Sequence, residues 1–263
     1  MKQRDFNEIL SEVKSKIASA CERSGRKVED VQIVAVTKTH GAEVVSEAWN
    51  AGLMIVGENK VQEAAWKKEV SVSGPDWHLI GHLQSNKVRQ ALEIFDFIHS
   101  VDSIKLADRI NLIADEIGAR VRILLEVNVS GEKSKNGMAI EAVEPTISHI
   151  LESCPRITVE GLMTMAPFSE NPEDSRVYFK RLRELRDAAE KNLDVQLPHL
   201  SMGMSGDYEV AIEEGATFVR LGTVLFGDRP KIKSVRVSAG DDDFISGGLD
   251  SYSGAGPTVR ILD

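Results

Sequence analysis

Val31-Gln32-Ile33-Val34-Ala35-Val36, a helix-like segment over 42–51, and then Leu53-Met54-Ile55-Val56 read as strand, helix, strand. Apolar runs this short, bounded by turn residues, suit buried strands. The pattern repeats along the chain. Further runs stand at Trp77–Ile80, Phe95–His99, Val121–Val127, Ile157–Met163, His199–Met202 and Phe218–Leu221, which makes eight. Helix-like segments separate them at Lys60–Lys68, Asn86–Ile94, Ile104–Ile117, Ile140–Leu151, Asp174–Asn192 and Asp207–Glu214. Strands alternating with helices imply βαβ units and a parallel sheet. Eight of them favour a closed (β/α)8 barrel over an open doubly wound sheet. No Gly-x-Gly-x-x-Gly follows the first run, which argues against a dinucleotide-binding fold. Ahead of the first strand, Phe6, Ile9, Leu10, Val13 and Ile17 recur at helical spacing, and Gly25 ends that helix.

The 263 residues fit one such barrel, which runs to roughly 250 residues as a single domain. A net charge of −9 spread along the chain argues against nucleic acid or an anionic membrane as partner. No uncharged apolar run approaches the ~18 residues of a membrane helix. The start, Met1-Lys2-Gln3-Arg4-Asp5, lacks the apolar core of a signal peptide. Cys21 and Cys154 have no metal-site spacing, no pair of histidines has metal-ligand spacing, and two free thiols suit a reducing cytoplasm. Residues 1–230 are expected to form the barrel with its leading helix. Residues 231–263, with Asp241-Asp242-Asp243, Gly247-Gly248 and a Ser/Gly run, read as a flexible tail.

In such barrels the chemistry sits at the carboxyl ends of the strands. Lys38 follows the first run and shares the parity of Val34 and Val36, so it points inward if they do. A buried lysine has a lowered pKa, which favours the neutral amine that forms imines. A lysine that simply leaves the mouth for solvent fits the run equally well. Asn59, after the second run, suits either a helix N-cap or a donor at the mouth. His82, after the third, is a ligand contact or a structural histidine. The polar stretch 130–137 is a loop over the site or a solvated one. Ser201-Met202-Gly203-Met204-Ser205-Gly206-Asp207 joins the seventh strand to a helix, and Gly222-Thr223 follows the eighth. Small residues and free N–H groups at these two places make an anion site, where barrels commonly hold phosphate. Arg220, inside an apolar run, needs either an ion-pair partner or a ligand acceptor.

An imine-forming lysine, a phosphate cradle and an arginine between them fit pyridoxal 5′-phosphate (PLP). The aldehyde would bond Lys38, the phosphate would sit at Ser205, Gly222 and Thr223, and the pyridine nitrogen would face Arg220. At this point the sequence resembles a known family. Val34-Ala35-Val36-Thr37-Lys38, Gly57-Glu58-Asn59, His78-Leu79-Ile80-Gly81-His82-Leu83-Gln84-Ser85-Asn86-Lys87, Gly161-Leu162-Met163-Thr164-Met165, Leu200-Ser201-Met202-Gly203-Met204-Ser205 and Arg220-Leu221-Gly222-Thr223 are similar to motifs of the PLP homeostasis (YggS-like) proteins. The resemblance covers residues 6–230. It implies the barrel of the alanine racemase N-terminal domain, without that enzyme's second domain. It also implies a cofactor-binding set of Lys38, Asn59, Ser201, Met204, Ser205, Arg220, Gly222 and Thr223, with Lys38 as the Schiff-base lysine. The acidic, Gly-rich tail departs from the family pattern.

The function so implied is a non-catalytic PLP carrier of the cytoplasm that supplies apoenzymes. The expected assembly is a monomer or weak homodimer. The alternative is a PLP-dependent racemase, which needs an electron-accepting ring and a base on each face. A pyridine facing Arg220 stays unprotonated, and none of Tyr178, Tyr208 and Tyr252 is placed as a second base. A Schiff-base aldolase would need an acid–base group at the mouth, for which Glu58 is the only near candidate.

Overall fold

The structure, a computed structural model, describes residues 5–132 and 136–227. The expected tail over 231–263 lies outside the described residues, as do residues 133–135 of the polar loop. Helix α1 (Phe6–Ser24) leads into β1 (Gln32–Val36), α2 (Glu43–Asn50), β2 (Ile55–Glu58), α3 (Val61–Val70) and β3 (Asp76–Leu79). Then come α4 (Val88–Ile94), β4 (Phe97–Val101), α5 (Ile104–Glu116), β5 (Val121–Glu126), α6 (Val143–Ser153) and β6 (Ile157–Met163). The order ends with α7 (Arg176–Leu193), β7 (His199–Met204), α8 (Tyr208–Glu213), β8 (Phe218–Leu221) and α9 (Thr223–Phe226). The eight strands pair in sequence order and close through β1 and β8 into a (β/α)8 barrel. Every pairing is parallel. Fold class and strand count therefore agree with the sequence reading.

Two strands start two residues later than their apolar runs suggest, and both shifts have local causes. Leu53 is consumed by the end of α2, where its N–H donates to Ala48 O across Gly52 at φ 85°. Phe95 caps α4 by donating to Ala91 O, so β4 begins at Phe97. In both places helix capping outcompetes strand pairing for the same apolar residue.

Alternation along the strands divides the core. Val34, Val36, Ile55, Ile80, Phe97, Leu124, Met163 and Phe218 fill the barrel, while a separate, larger cluster packs the strands against the helices. Phe97 and Phe218 stand edge-to-face at 5.8 Å, and His78 and His99 pack against both. Helix α1 lies outside the barrel with Phe6, Leu10, Val13, Ile17 and Ala20 buried. Asp5 caps its first turn and Gly25, at φ 66°, ends it. Phe6 stacks on Phe226 of α9 at 5.5 Å, which ties the first helix to the last. No helix among the described residues is long and apolar enough to cross a membrane.

Gly161 shows how tightly the strands are drawn together. It pairs with His199 across β6 and β7 at φ 150°, and a Cβ there would lie 1.8 Å from His199 O. Backbone cannot yield as a side chain does, so Gly161→Ala should cost at least about 2 kcal/mol in urea unfolding. An unchanged midpoint would show that β6 and β7 are not paired in this register.

Candidate functional site

The carboxyl ends of the strands surround a cavity of about 370 Å³, within the range of small-molecule sites. Its walls include Lys38, Asn59, Met204, Ser205, Arg220, Gly222 and Thr223. Seven of the eight expected residues thus meet at one place, drawn from β1, β2, β7, β8 and the loops after them. Ser201, the eighth, is not in the wall.

Lys38 reaches the cavity by the parity of its strand. Val34 and Val36 point into the barrel, and Lys38 continues that side two residues past β1. It is half-buried. Asn59 is not an N-cap. Helix α3 starts at Val61 behind Lys60 and has no side-chain cap. Asn59 lines the cavity instead, and its buried Oδ1 has no hydrogen-bond partner in the protein. Such an atom is costly unless something supplies a donor. Glu58 does not reach the mouth. It is fully buried, and its Oε1 accepts from Thr37 Oγ1 at 2.6 Å and from Lys67 Nζ at 2.7 Å. Glu58 is therefore not the acid–base group at the mouth that the aldolase alternative would need.

Arg220 lies across the cavity floor, 4% exposed. Among the described residues its guanidinium makes no ion pair and donates only to neutral oxygens. One terminal nitrogen donates to Ser201 O at 2.8 Å and Ser201 Oγ at 2.7 Å, the other to Thr164 O at 2.8 Å. Burial lowers its pKa to about 10, so it remains a cation at neutral pH. Ser201 sits behind it, fully buried, with its Oγ 2.9 Å from His99 Nδ1. His99 Nε2 is in turn 2.9 Å from His78 Nδ1. A guanidinium only donates, so Ser201 Oγ accepts from Arg220, and the direction of the two bonds beyond it is set by the tautomers of His99 and His78. Burial holds both histidines neutral, His78 down at about 3 and His99 well below the usual histidine range. They are structural groups that order Ser201 and Arg220.

On the phosphate side, Ser205 Oγ accepts from Val224 N at 3.2 Å and so joins the β7 loop to α9. A Cβ on Gly206 would meet nothing within 4 Å, while one on Gly222 would crowd Val36 O at 3.3 Å. The glycines keep backbone close and side chains out. Asp207 also lines the cavity, but its carboxylate is engaged by Met204 N at 2.7 Å and Ser175 Oγ at 3.1 Å. Met165, Met204 and the 95% exposed Phe168 form an apolar rim.

The structure adds a group the sequence reading missed. Glu126, last in β5, lines the cavity at 2% exposure. Burial raises its pKa to about 7, helped by Asp102 and opposed by Arg220. His82 also lines the wall, with Nδ1 3.3 Å from Asp102 Oδ2. Outside the barrel, Asp108, His149 and Cys154 bring ligand-type atoms within 4.8 Å of one another. His149 Nε2 and Asp108 Oδ1 are 2.6 Å apart, a hydrogen bond, whereas two ligands of one tetrahedral zinc stand about 3.3 Å apart.

Fold and cavity define a barrel of the alanine racemase type. The family model of the alanine racemase N-terminal domain matches residues 10–230. The pyridoxal phosphate homeostasis protein of Aquifex aeolicus is 48% identical over 223 residues, 84% of this chain and 97% of that protein. Its namesake in Escherichia coli K12 is 37% identical over 235 residues, 86% and 97% of the two chains. The structure of PipY from Synechococcus elongatus PCC7942 with PLP bound matches with a TM-score of 0.75 at 35% identity, covering 85% of this chain and 100% of that one. The chain belongs to the pyridoxal phosphate homeostasis protein family.

Glu126 gives the ligand-free protein a pH signature. Its folded pKa lies above the ordinary carboxylate value, so the unfolded chain ionises first and deprotonation favours unfolding. Stability from this group is present below about pH 4.5 and lost as pH rises toward 7, by about 3 kcal/mol. Glu126→Gln should therefore gain stability relative to the parent between pH 4.5 and 8 in paired urea melts. A difference that does not change with pH would contradict the buried, neutral carboxyl.

Proposed function

We propose that this chain binds PLP as a Schiff base on Lys38 and serves intracellular PLP homeostasis, holding the cofactor and supplying it to apo PLP-dependent enzymes. The observation that carries the reading is one cavity that gathers a half-buried lysine, an arginine bonded among the described residues only to neutral oxygens, and a glycine- and hydroxyl-lined cradle. In the bond formed, Lys38 Nζ joins the aldehyde carbon and the aldehyde oxygen leaves as water. Ser205, Gly222 and Thr223 would hold the phosphate, with Asn59 and Met204 as further contacts in the same wall. The orphaned Oδ1 of Asn59 and the guanidinium of Arg220 fit the polar edge of such a ligand. Ser201 acts through Arg220, which it anchors.

PLP supplies an electrophilic carbon and, when its ring nitrogen is protonated, a strong electron sink. Arg220 works against the second property. It remains a donor at neutral pH, so a ring nitrogen held against it would accept a hydrogen bond and stay unprotonated. Among the described residues no tyrosine lines the cavity, Asp207 is engaged elsewhere, and burial drives Glu126 toward the neutral acid. These features favour a carrier over a racemase. We assign the work to residues 1–230 in the cytoplasm, with residues 231–263 dispensable for it.

The test is α-deuterium exchange on alanine and other amino acids in heavy water, with the PLP-loaded full chain and with a chain cut after Arg229. Both should bind PLP with the same absorbance and exchange no more than about one equivalent per site. Many turnovers, abolished by Lys38→Ala, would make the protein a catalyst. Loss of the absorbance in the cut chain alone would give the tail a part in binding.

A further inference from the structure

One buried charge lies outside the cavity wall, on the far side of the turn that carries Lys38. Lys67, on α3, is wholly buried. A buried ammonium persists only where every proton is used. Here all three are: Nζ donates to Thr37 O at 2.7 Å, Glu58 Oε1 at 2.7 Å and Glu63 Oε1 at 2.8 Å. The same two carboxylates reach the chain around Lys38. Glu58 Oε1 accepts from Thr37 Oγ1 at 2.6 Å, and Glu63 Oε1 accepts from Thr39 N–H at 2.6 Å. One ammonium thus holds the residues on both sides of Lys38, Thr37 directly and Thr39 through Glu63.

What it holds is a strained turn. Thr37 to His40 close a turn in which His40 N donates to Thr37 O at 3.2 Å, with Lys38 and Thr39 at its two central positions. Thr39 has φ 68°. That conformation suits glycine, and a β-branched residue adopts it only under compulsion. The charge-assisted bond from Thr39 N–H to Glu63 supplies the compulsion. Relaxation of Thr39 would re-aim the turn and the lysine it carries.

We propose that Lys67 is a positioning residue for the cofactor site: through Thr37, Glu58 and Glu63 it locks the turn that presents the Lys38 amine to the aldehyde. The proposal rests on Lys38 being the Schiff-base lysine. Lys67 touches neither cofactor nor cavity; its effect is confined to where Lys38 Nζ stands. The phosphate cradle comes from other elements, β7, β8 and α9, and its own bond, Val224 N to Ser205 Oγ, does not involve the clamp.

That separation supplies the experiment. PLP is titrated by its absorbance, and pyridoxine 5′-phosphate, which has an alcohol in place of the aldehyde, by calorimetry. The variants are Lys67→Met and Glu63→Ala. Glu63 is partly exposed and its loss leaves Lys67 paired with Glu58, so this variant folds if Lys67→Met, with Glu58 stranded, does not. Both should lose about tenfold or more in PLP affinity while pyridoxine 5′-phosphate binding stays within about twofold. Adding Thr39→Gly to Glu63→Ala should recover part of the PLP loss, since glycine takes the turn without strain. Equal losses for both ligands, or no loss for either, would overturn the clamp. Lys38→Ala is the control. If it keeps the PLP absorbance, the Lys38 assignment itself fails and the clamp with it; if it is colourless, any failure belongs to the clamp alone.

Discussion

The closure of the barrel between β1 and β8 is the contact on which the site depends. Gln32 to Ala35 pair in register with Phe218 to Leu221, with Val34 opposite Arg220. That register sets the turn after β1 beside Gly222 and Thr223 after β8, and puts Arg220 on the interior side that Val34 and Val36 share with Lys38. Residues from the two ends of the barrel sequence become neighbours only because the sheet has no edge. A sheet left open at this seam would still bury its apolar faces, but the lysine, the arginine and the cradle would belong to different surfaces.

Polar groups inside the barrel are arranged in order of what they must resist. His78 and His99 meet burial by staying neutral, in a hydrogen-bonded line that ends on Ser201. Arg220 stays charged and spends donors on Ser201 and Thr164. Glu126 faces the same cavity and is driven toward the neutral acid. Outside the barrel, Lys67 on α3 is wholly buried and bonded to two carboxylates. Each solution fixes geometry near the mouth, which is where rigid support matters most for a binding site.

The strand pattern made the barrel legible, because period-two alternation and βαβ spacing survive in a single sequence. The same parity made Lys38 legible, and it applies equally to Glu126, which shares the side of the buried Leu124 in β5. Asn59 could not be settled between cap and mouth, since Lys60 suits a cap poorly and the choice depends on where α3 begins. Ser201 and the histidines needed the closed barrel: His78, His99, Ser201 and Arg220 come from four strands, and only their register joins them. The clamp on Lys38 was hidden for the same reason. Lys67 has the spacing of an ordinary helix-surface lysine paired to Glu63 at i and i+4, and nothing local to it announces burial against Thr37. Residues 133–135 and 231–263 lie outside the described residues, and the sequence expectations for them stand as such.

The central assignment, Lys38 as the residue that holds PLP, is tested most directly by borohydride reduction of the PLP-loaded protein followed by peptide mapping. The account predicts one reduced adduct, on the peptide carrying Lys38, with the fold unchanged in Lys38→Ala and the adduct absent. An adduct on any other lysine, or one that survives Lys38→Ala, would contradict it.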